Sequence, residues 1–206
     1  MKPPGNDVFN PLDKTHLAQS VSDHLLRQPV IPLPPMRRFI GAGIYAIYYT
    51  GQFRPYRKIA QSASGGGEDA IPIYVGKAVP AGSRKGGYGL GIDPGDVLFR
   101  RLSEHASSIQ SVHNLNLGDF KCRYLLVDDI WIPLGESLLI EKFKPVWNIR
   151  VDGFGHHDQG RARRGQMKSA WDTLHPGRAW AENVERPNPK TAEQISAEVI
   201  AYLESI

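Results

Sequence analysis

The sequence predicts a mixed α/β domain of the α+β kind, with a small antiparallel sheet and helices on its faces. Two observations predict it. Residues 40–49 and 71–76 are apolar runs rich in β-branched and aromatic residues, each bounded by Gly or Pro, and near enough in the chain to pair antiparallel. Outside them the apolar positions change to a helical period, over residues 93–110 and 131–143. A further strand is read at 120–127, where Phe120 and Cys122 alternate with polar residues before Leu125, Leu126 and Val127.

Residues 9–28 open the chain as a helix. Asn10 is its expected cap, Pro11 suits the first turn, and Leu17, Val21 and Leu25 recur at i, i+4. The prolines between 29 and 35 stop it and form a stiff extended connector, so the helix packs on the core or on another subunit. Residues 1–39 are therefore read as an extension, 40–150 as the core and 151–206 as a second extension.

The first two strands bring Tyr45 and Tyr74 together at an edge of the sheet. A tyrosine in a strand is ordinarily a half-buried packing residue with a wet hydroxyl, so the pair gains meaning only from residues further along the chain. The linking segment is too long for a hairpin turn. It is read as a loop carrying Arg54, Tyr56, Arg57 and Lys58, either a groove-reading element or surface decoration. Residues 81–91 are Gly-rich, yet no βαβ unit and no Gly-Lys-Ser/Thr accompany them, which excludes a dinucleotide fingerprint and a P-loop. Arg84 and Lys85 there are expected to touch phosphate backbone. In the helix at 93–110, Arg101 and His105 stand one turn apart on one face. Glu136 sits one turn before Ile140 in the next helix, and a carboxylate beside an apolar face needs a partner or a metal. Asn148 lies beyond it in a turn, where Asn commonly fixes backbone. Trp171 and Trp180 are expected to cap a core or an interface, with His175-Pro176-Gly177-Arg178 as a DNA-contacting turn. A last helix starts at Lys190-Thr191, with Ile195, Val199 and Tyr202 on one side.

Charge points to an anionic partner. The net charge is +4, and Arg150, Arg161, Arg163 and Arg164 cluster with His156 and His157, making nucleic acid the first candidate. One cysteine, Cys122, excludes a disulfide scaffold and a Cys/His zinc site. No apolar run approaches the ~20 residues that span a bilayer, and the N-terminus lacks a signal-peptide core. The chain is expected in the cytoplasm.

Gly43-Ile44-Tyr45, Tyr74-Val75-Gly76, Arg101 with His105 on a helix, Glu136 on a later helix and Asn148 beyond it occur in that order. Together they resemble the GIY-YIG nuclease superfamily over residues 40–150, with Val75 in place of the usual isoleucine. The resemblance implies a three-stranded antiparallel sheet flanked by helices, and magnesium-dependent hydrolysis of DNA phosphodiesters. The length, the inserted basic loops and the segment at 171–178 look like the compact type II restriction endonucleases that cut CCGCGG-type sites.

The chemistry of the residues agrees with this. Glu136 is the expected ligand of one Mg²⁺ per site, with Mn²⁺ as a substitute, because Mg²⁺ takes one or two carboxylates plus waters and phosphate oxygens. Arg101 suits the developing charge on the phosphoryl group. Tyr45 resembles the family's general base, yet a free phenol has a pKa near ~10, so Lys77 or His105 either lowers it or takes the proton. Tyr74 is expected to orient phosphate or water, and Asn148 to hold Glu136 or Tyr45. Arg54, Arg57, Lys58, Arg84, Lys85, Arg161, Arg163, Arg164 and Arg178 are the expected DNA contacts. A palindromic double-stranded site calls for a homodimer, with contacts expected in the N-terminal helix, the connector and the Trp-rich region. The rival readings are a structure-specific repair nuclease and a non-catalytic DNA-binding module.

Overall fold

The computed structural model describes residues 13–63, 70–80, 93–156 and 165–206. Its elements are α1 (Lys14–Leu26), β1 (Ile31–Pro32), β2 (Gly43–Tyr49), a 3-10 turn (Arg54–Tyr56), α2 (Arg57–Ala63), β3 (Tyr74–Ala78), α3 (Val97–Gln110) and a second 3-10 turn (Leu117–Asp119). β4 (Phe120–Leu126), α4 (Ile132–Phe143), α5 (Val146–Ile149), α6 (Ala170–Leu174), α7 (Ala179–Glu182) and α8 (Ala192–Glu204) complete it.

The sheet has four strands in the order β1-β4-β2-β3, each neighbour antiparallel. It exceeds the expected three because the proline connector contributes β1, where Ile31 faces Cys122 and Pro32 faces Lys121. Proline has no N–H to donate, so β1 stays two residues long and at the edge. The expected pair of strands forms as β2 and β3, with Tyr45 opposite Gly76 and Ile47 opposite Tyr74. Of this pair, β2 is interior and β3 is an edge.

All seven residues of β2 are buried, which is why its sequence does not alternate. Ile44, Ala46 and Tyr48 face one apolar layer with Leu25 of α1 and Ile132 and Leu139 of α4. Tyr45, Ile47 and Tyr49 face the other, with Leu98, Leu102 and Ile109 of α3, Trp147 of α5, Trp171 of α6 and Val199 of α8. At roughly 1.5–3 kcal/mol for each fully buried large side chain, these two layers fix the position of the sheet. Gly43 is required where β2 meets β4, because a Cβ there would overlap the Leu125 carbonyl.

Three expectations change. The first helix begins at Lys14, with the Asp13 carboxylate accepting from the Thr15 amide at 2.8 Å, and Asn10 and Pro11 lie outside the described residues. The segment after β2 is helical rather than a loop, since Ile59 and Ala60 bury one side of α2 and Tyr56 is fully buried. Residues after 150 are no appendage: Phe154, Trp171, Leu174, Ile195 and Val199 share the apolar layer that holds Tyr45. Trp171 is buried in the core, one of the two places expected for it, and Trp180 is half-buried. The last helix starts as expected, with Thr191 and Gln194 capping its N-terminus reciprocally. Among the described residues, no helix is long and apolar enough to cross a membrane.

Candidate active site

The site forms where β2, β3, α3 and α4 meet. β2 carries Tyr45, β3 carries Tyr74 and Lys77, α3 carries Arg101 and His105, and α4 carries Glu136. The two tyrosine rings lie 6.2 Å apart, and the His105 ring lies 5.4 Å from Tyr45 and 5.3 Å from Tyr74. The Tyr45 hydroxyl is 2.6 Å from His105 Nε2. Gly76 makes this contact possible, because a Cβ at that position would overlap the Tyr45 hydroxyl. The glycine of the second tripeptide is thus explained by the tyrosine of the first.

Electrostatics tie these groups together. Burial pushes the Tyr45 phenol well above the ordinary tyrosine range, Tyr74 adds to the rise, and the Arg101 guanidinium beside it pulls part-way back. Burial raises Tyr74 as well, opposed by Arg101 and reinforced by the Glu136 carboxylate. Arg101 also donates to the Gly155 carbonyl at 3.1 Å and pairs with Glu104 at 3.3 Å. Lys77 Nζ and Glu136 Oε2 form an ion pair at 2.6 Å, with the glutamate side chain 17% exposed.

Asn148 acts elsewhere than expected. Its side-chain oxygen accepts from the Val75 amide and its side-chain nitrogen donates to the Val75 carbonyl, both at 2.8 Å. It therefore pins the backbone between Tyr74 and Gly76 and not Glu136 or Tyr45. Val75 lies on the edge strand, and a side chain supplying both of its bonds replaces a missing neighbour strand.

The donor set bears on the metal. Among the described residues, no three His, Cys, Asp or Glu side chains gather into a cluster that can hold an ion. A zinc-like cage does not fit, since such cages are built wholly from protein ligands. A single hard carboxylate that still reaches solvent does fit Mg²⁺, which completes its shell with waters and substrate oxygens.

The expected DNA contacts divide into three groups. Arg54, Arg57 and Lys58 are exposed and line a cavity of about 390 Å³ with Ile200 and Leu203 of α8. Lys58 Nζ also donates to the carbonyls of Leu203 and Ile206 at 2.6 Å each, so part of its charge holds the end of α8. Arg84, Lys85, Arg161, Arg163 and Arg164 lie outside the described residues. Arg178 is the correction. It is 3% exposed and paired with Asp172 at 2.7 Å, out of reach of a duplex. His175 beside it is fully buried, held between the Tyr56 hydroxyl at 2.7 Å and Asn114 Oδ1 at 2.9 Å. This turn is buried because its polar groups find partners within the fold, including the Gly153, Phe154 and His156 carbonyls that accept from Arg178.

Sequence reasoning missed Glu104, Phe154 and Gly155. Phe154 stacks on the His105 ring at 4.4 Å, and the Gly155 carbonyl receives Arg101. A glycine on each side of Phe154 was the available signal for a tight turn.

The Eco29kI GIY-YIG domain family matches residues 37–203. The chain belongs to that family. Eco29kI GIY-YIG domains form a restriction-endonuclease family, and the chain is a nuclease with DNA as its substrate. The match runs beyond residue 150 and takes in α6 and α7 and nearly all of α8, in keeping with their place in the core beside Tyr45. No curated protein matches the chain.

Proposed function

We propose that this chain is a type II restriction endonuclease that hydrolyses both strands of double-stranded DNA. One Mg²⁺ serves each active site, replaceable by Mn²⁺, and a homodimer acts at a GC-rich palindrome of the CCGCGG type. The observation that carries the reading is the contact between the Tyr45 hydroxyl and His105 Nε2, with Arg101 beside it and Glu136 close enough to act on both tyrosines.

Tyr45 is a neutral phenol at ordinary pH, because burial opposes the phenolate. It serves as a base only by giving up its own proton as it gains another. The attacking water passes a proton to the Tyr45 oxygen while the phenolic proton moves to an unprotonated His105 Nε2. The water oxygen bonds to phosphorus, the bond to the leaving deoxyribose oxygen breaks, and that oxygen takes a proton from solvent. Arg101 stabilises the charge that grows on the phosphoryl oxygens. Tyr74 orients the phosphate. Glu136 would hold Mg²⁺, which when bound supplies further charge stabilisation to those oxygens. Lys77 neutralises that carboxylate beforehand, reducing its repulsion of an incoming phosphate.

The test is incubation with plasmid and Mg²⁺, then sequencing of the fragment ends. Discrete fragments sharing one palindromic terminus support the reading. Nicks or smears move it to a structure-directed nuclease, and intact plasmid to a binding module. Glu136→Gln is expected to stop cleavage and keep binding. If that variant still cuts with Mg²⁺, the ion is held elsewhere.

A further inference from the structure

We propose that the buried Arg178–Asp172 pair positions the nuclease centre by holding the turn at residues 153–156 against Arg101 and His105. The proposal rests on the nuclease reading. A helix places the Cα atoms of Arg101 and His105 one turn apart, but it leaves a long guanidinium arm and an imidazole plane undetermined. Besides the Tyr45 hydroxyl on His105 and Glu104 on Arg101, two residues of one turn hold them. The Gly155 carbonyl accepts from Arg101 Nη2 at 3.1 Å, and the Phe154 ring stacks on His105 at 4.4 Å with 17° between the planes.

That turn has little stiffness of its own. It contains two glycines, and Gly153 has a φ of +105°, a conformation that side-chain-bearing residues avoid. Beyond the burial of Phe154 and the His156 N–H bond to the Gly153 carbonyl, Arg178 braces it. One guanidinium donates to the carbonyls of Gly153 at 2.9 Å, Phe154 at 3.2 Å and His156 at 3.1 Å. The guanidinium is itself fixed by Asp172 at 2.7 Å and lies over the rings of Trp171 at 4.3 Å and Trp180 at 4.6 Å. The second Asp172 oxygen accepts from Ser169 Oγ at 2.6 Å, so the carboxylate cannot rotate away. A planar fork of five donors can serve three carbonyls and a carboxylate at once, and an ammonium cannot. The turn also leaves no slack towards the site: a Cβ on Gly155 would sit 3.0 Å from the Tyr74 hydroxyl and 3.3 Å from Arg101 Nη2. Arg178 does not reach the reacting atoms, so it is a positioning residue.

The deciding variant is Arg178→Lys, which keeps the charge beside Asp172 and loses the fork. Single-turnover cleavage of plasmid is expected to slow roughly 10- to 100-fold, as when a residue that orients catalytic groups is lost. Duplex affinity, measured in the Glu136→Gln background to prevent turnover, is expected to stay unchanged. Val199→Ala loosens the same apolar layer without touching the turn, and it is expected to cut at the wild-type rate. A wild-type rate for Arg178→Lys, or a loss matched by Val199→Ala, overturns the proposal. If Arg178→Lys does not fold, Asp172→Asn decides, since it loosens the hold on the guanidinium without adding bulk at the site. The same loss of rate at unchanged affinity supports positioning, and a wild-type rate overturns it. Should wild-type protein leave DNA intact, the nuclease reading falls separately. Amide exchange at His156, whose N–H bonds the Gly153 carbonyl at 3.0 Å, then decides: faster exchange in Arg178→Lys supports the proposal, and unchanged exchange overturns it.

Discussion

Tyr45 is fully buried, hydrogen-bonded and neutral, and these properties limit what it can do alone. Removing its oxygen separates packing from chemistry. Tyr45→Phe keeps the ring in the apolar layer and is expected to slow cleavage by roughly 10²–10⁴-fold, the usual reach of acid–base catalysis. Single-turnover rates at equal folded fraction check it, and near-native cutting moves the proton to Lys77 or His105. Tyr45, Tyr74, Arg101, His105 and Glu136 were singled out in the sequence by the order of their motifs, and each sits in a regular element of the fold. The Lys77–Glu136 pair was not, since it joins β3 to α4 across a distance that no local pattern encodes. Arg178 misled for the same reason. An arginine after Pro176-Gly177 reads as exposed, and only Asp172 and three distant carbonyls make its burial tolerable.

At the scale of elements, β3 is a short edge strand that depends on Asn148 for the outer side of Val75. Asn148→Ala strips both bonds from one residue. It is expected to lower stability by about 1–3 kcal/mol, read as a drop in the urea midpoint, and to slow cleavage because Tyr74 and Lys77 flank the freed segment. Unchanged stability would mean that water satisfies Val75 equally well. The strands and long helices were foreseen because hydrophobic period and Gly/Pro punctuation are local. β1 was missed because two residues among prolines carry no period, and they become a strand only when β4 lies alongside. α2 was missed because its polar residues, Arg57, Lys58 and Gln61, gave the appearance of a loop. Only Ile59, Ala60 and Ala63 face inward.

For the whole molecule, two measurements report on the assembled structure. His175 is held down to about 3 by burial, with the Arg178 charge adding to the effect. Its unfolded value is near ~6.5, so below that pH the unfolded chain binds a proton that the native state refuses. Stability is therefore retained above about pH 6.5 and falls as the pH drops towards 3, by about 2 kcal/mol at pH 5 relative to pH 7. Melting curves across this range check it, and His175→Gln should flatten the dependence. DNA affinity is the second measurement. If Arg54, Arg57 and the basic residues outside the described segments meet phosphates, log K falls linearly with log salt. A flat line would mean that none of them touches the duplex.

The turn at 153–156 also bears on how such an enzyme is made. Tyr45 and Tyr74 emerge early in synthesis, whereas the guanidinium that steadies the turn behind Arg101 and His105 comes at residue 178. Ribosomes add roughly 5–20 residues per second, so several seconds separate the two. During that interval the nascent chain carries its tyrosines without the support that aligns their neighbours. A cell translating this nuclease near its own chromosome therefore meets a chain whose site is not yet aligned, and the full cutting rate is expected only after the last part of the apolar layer has closed.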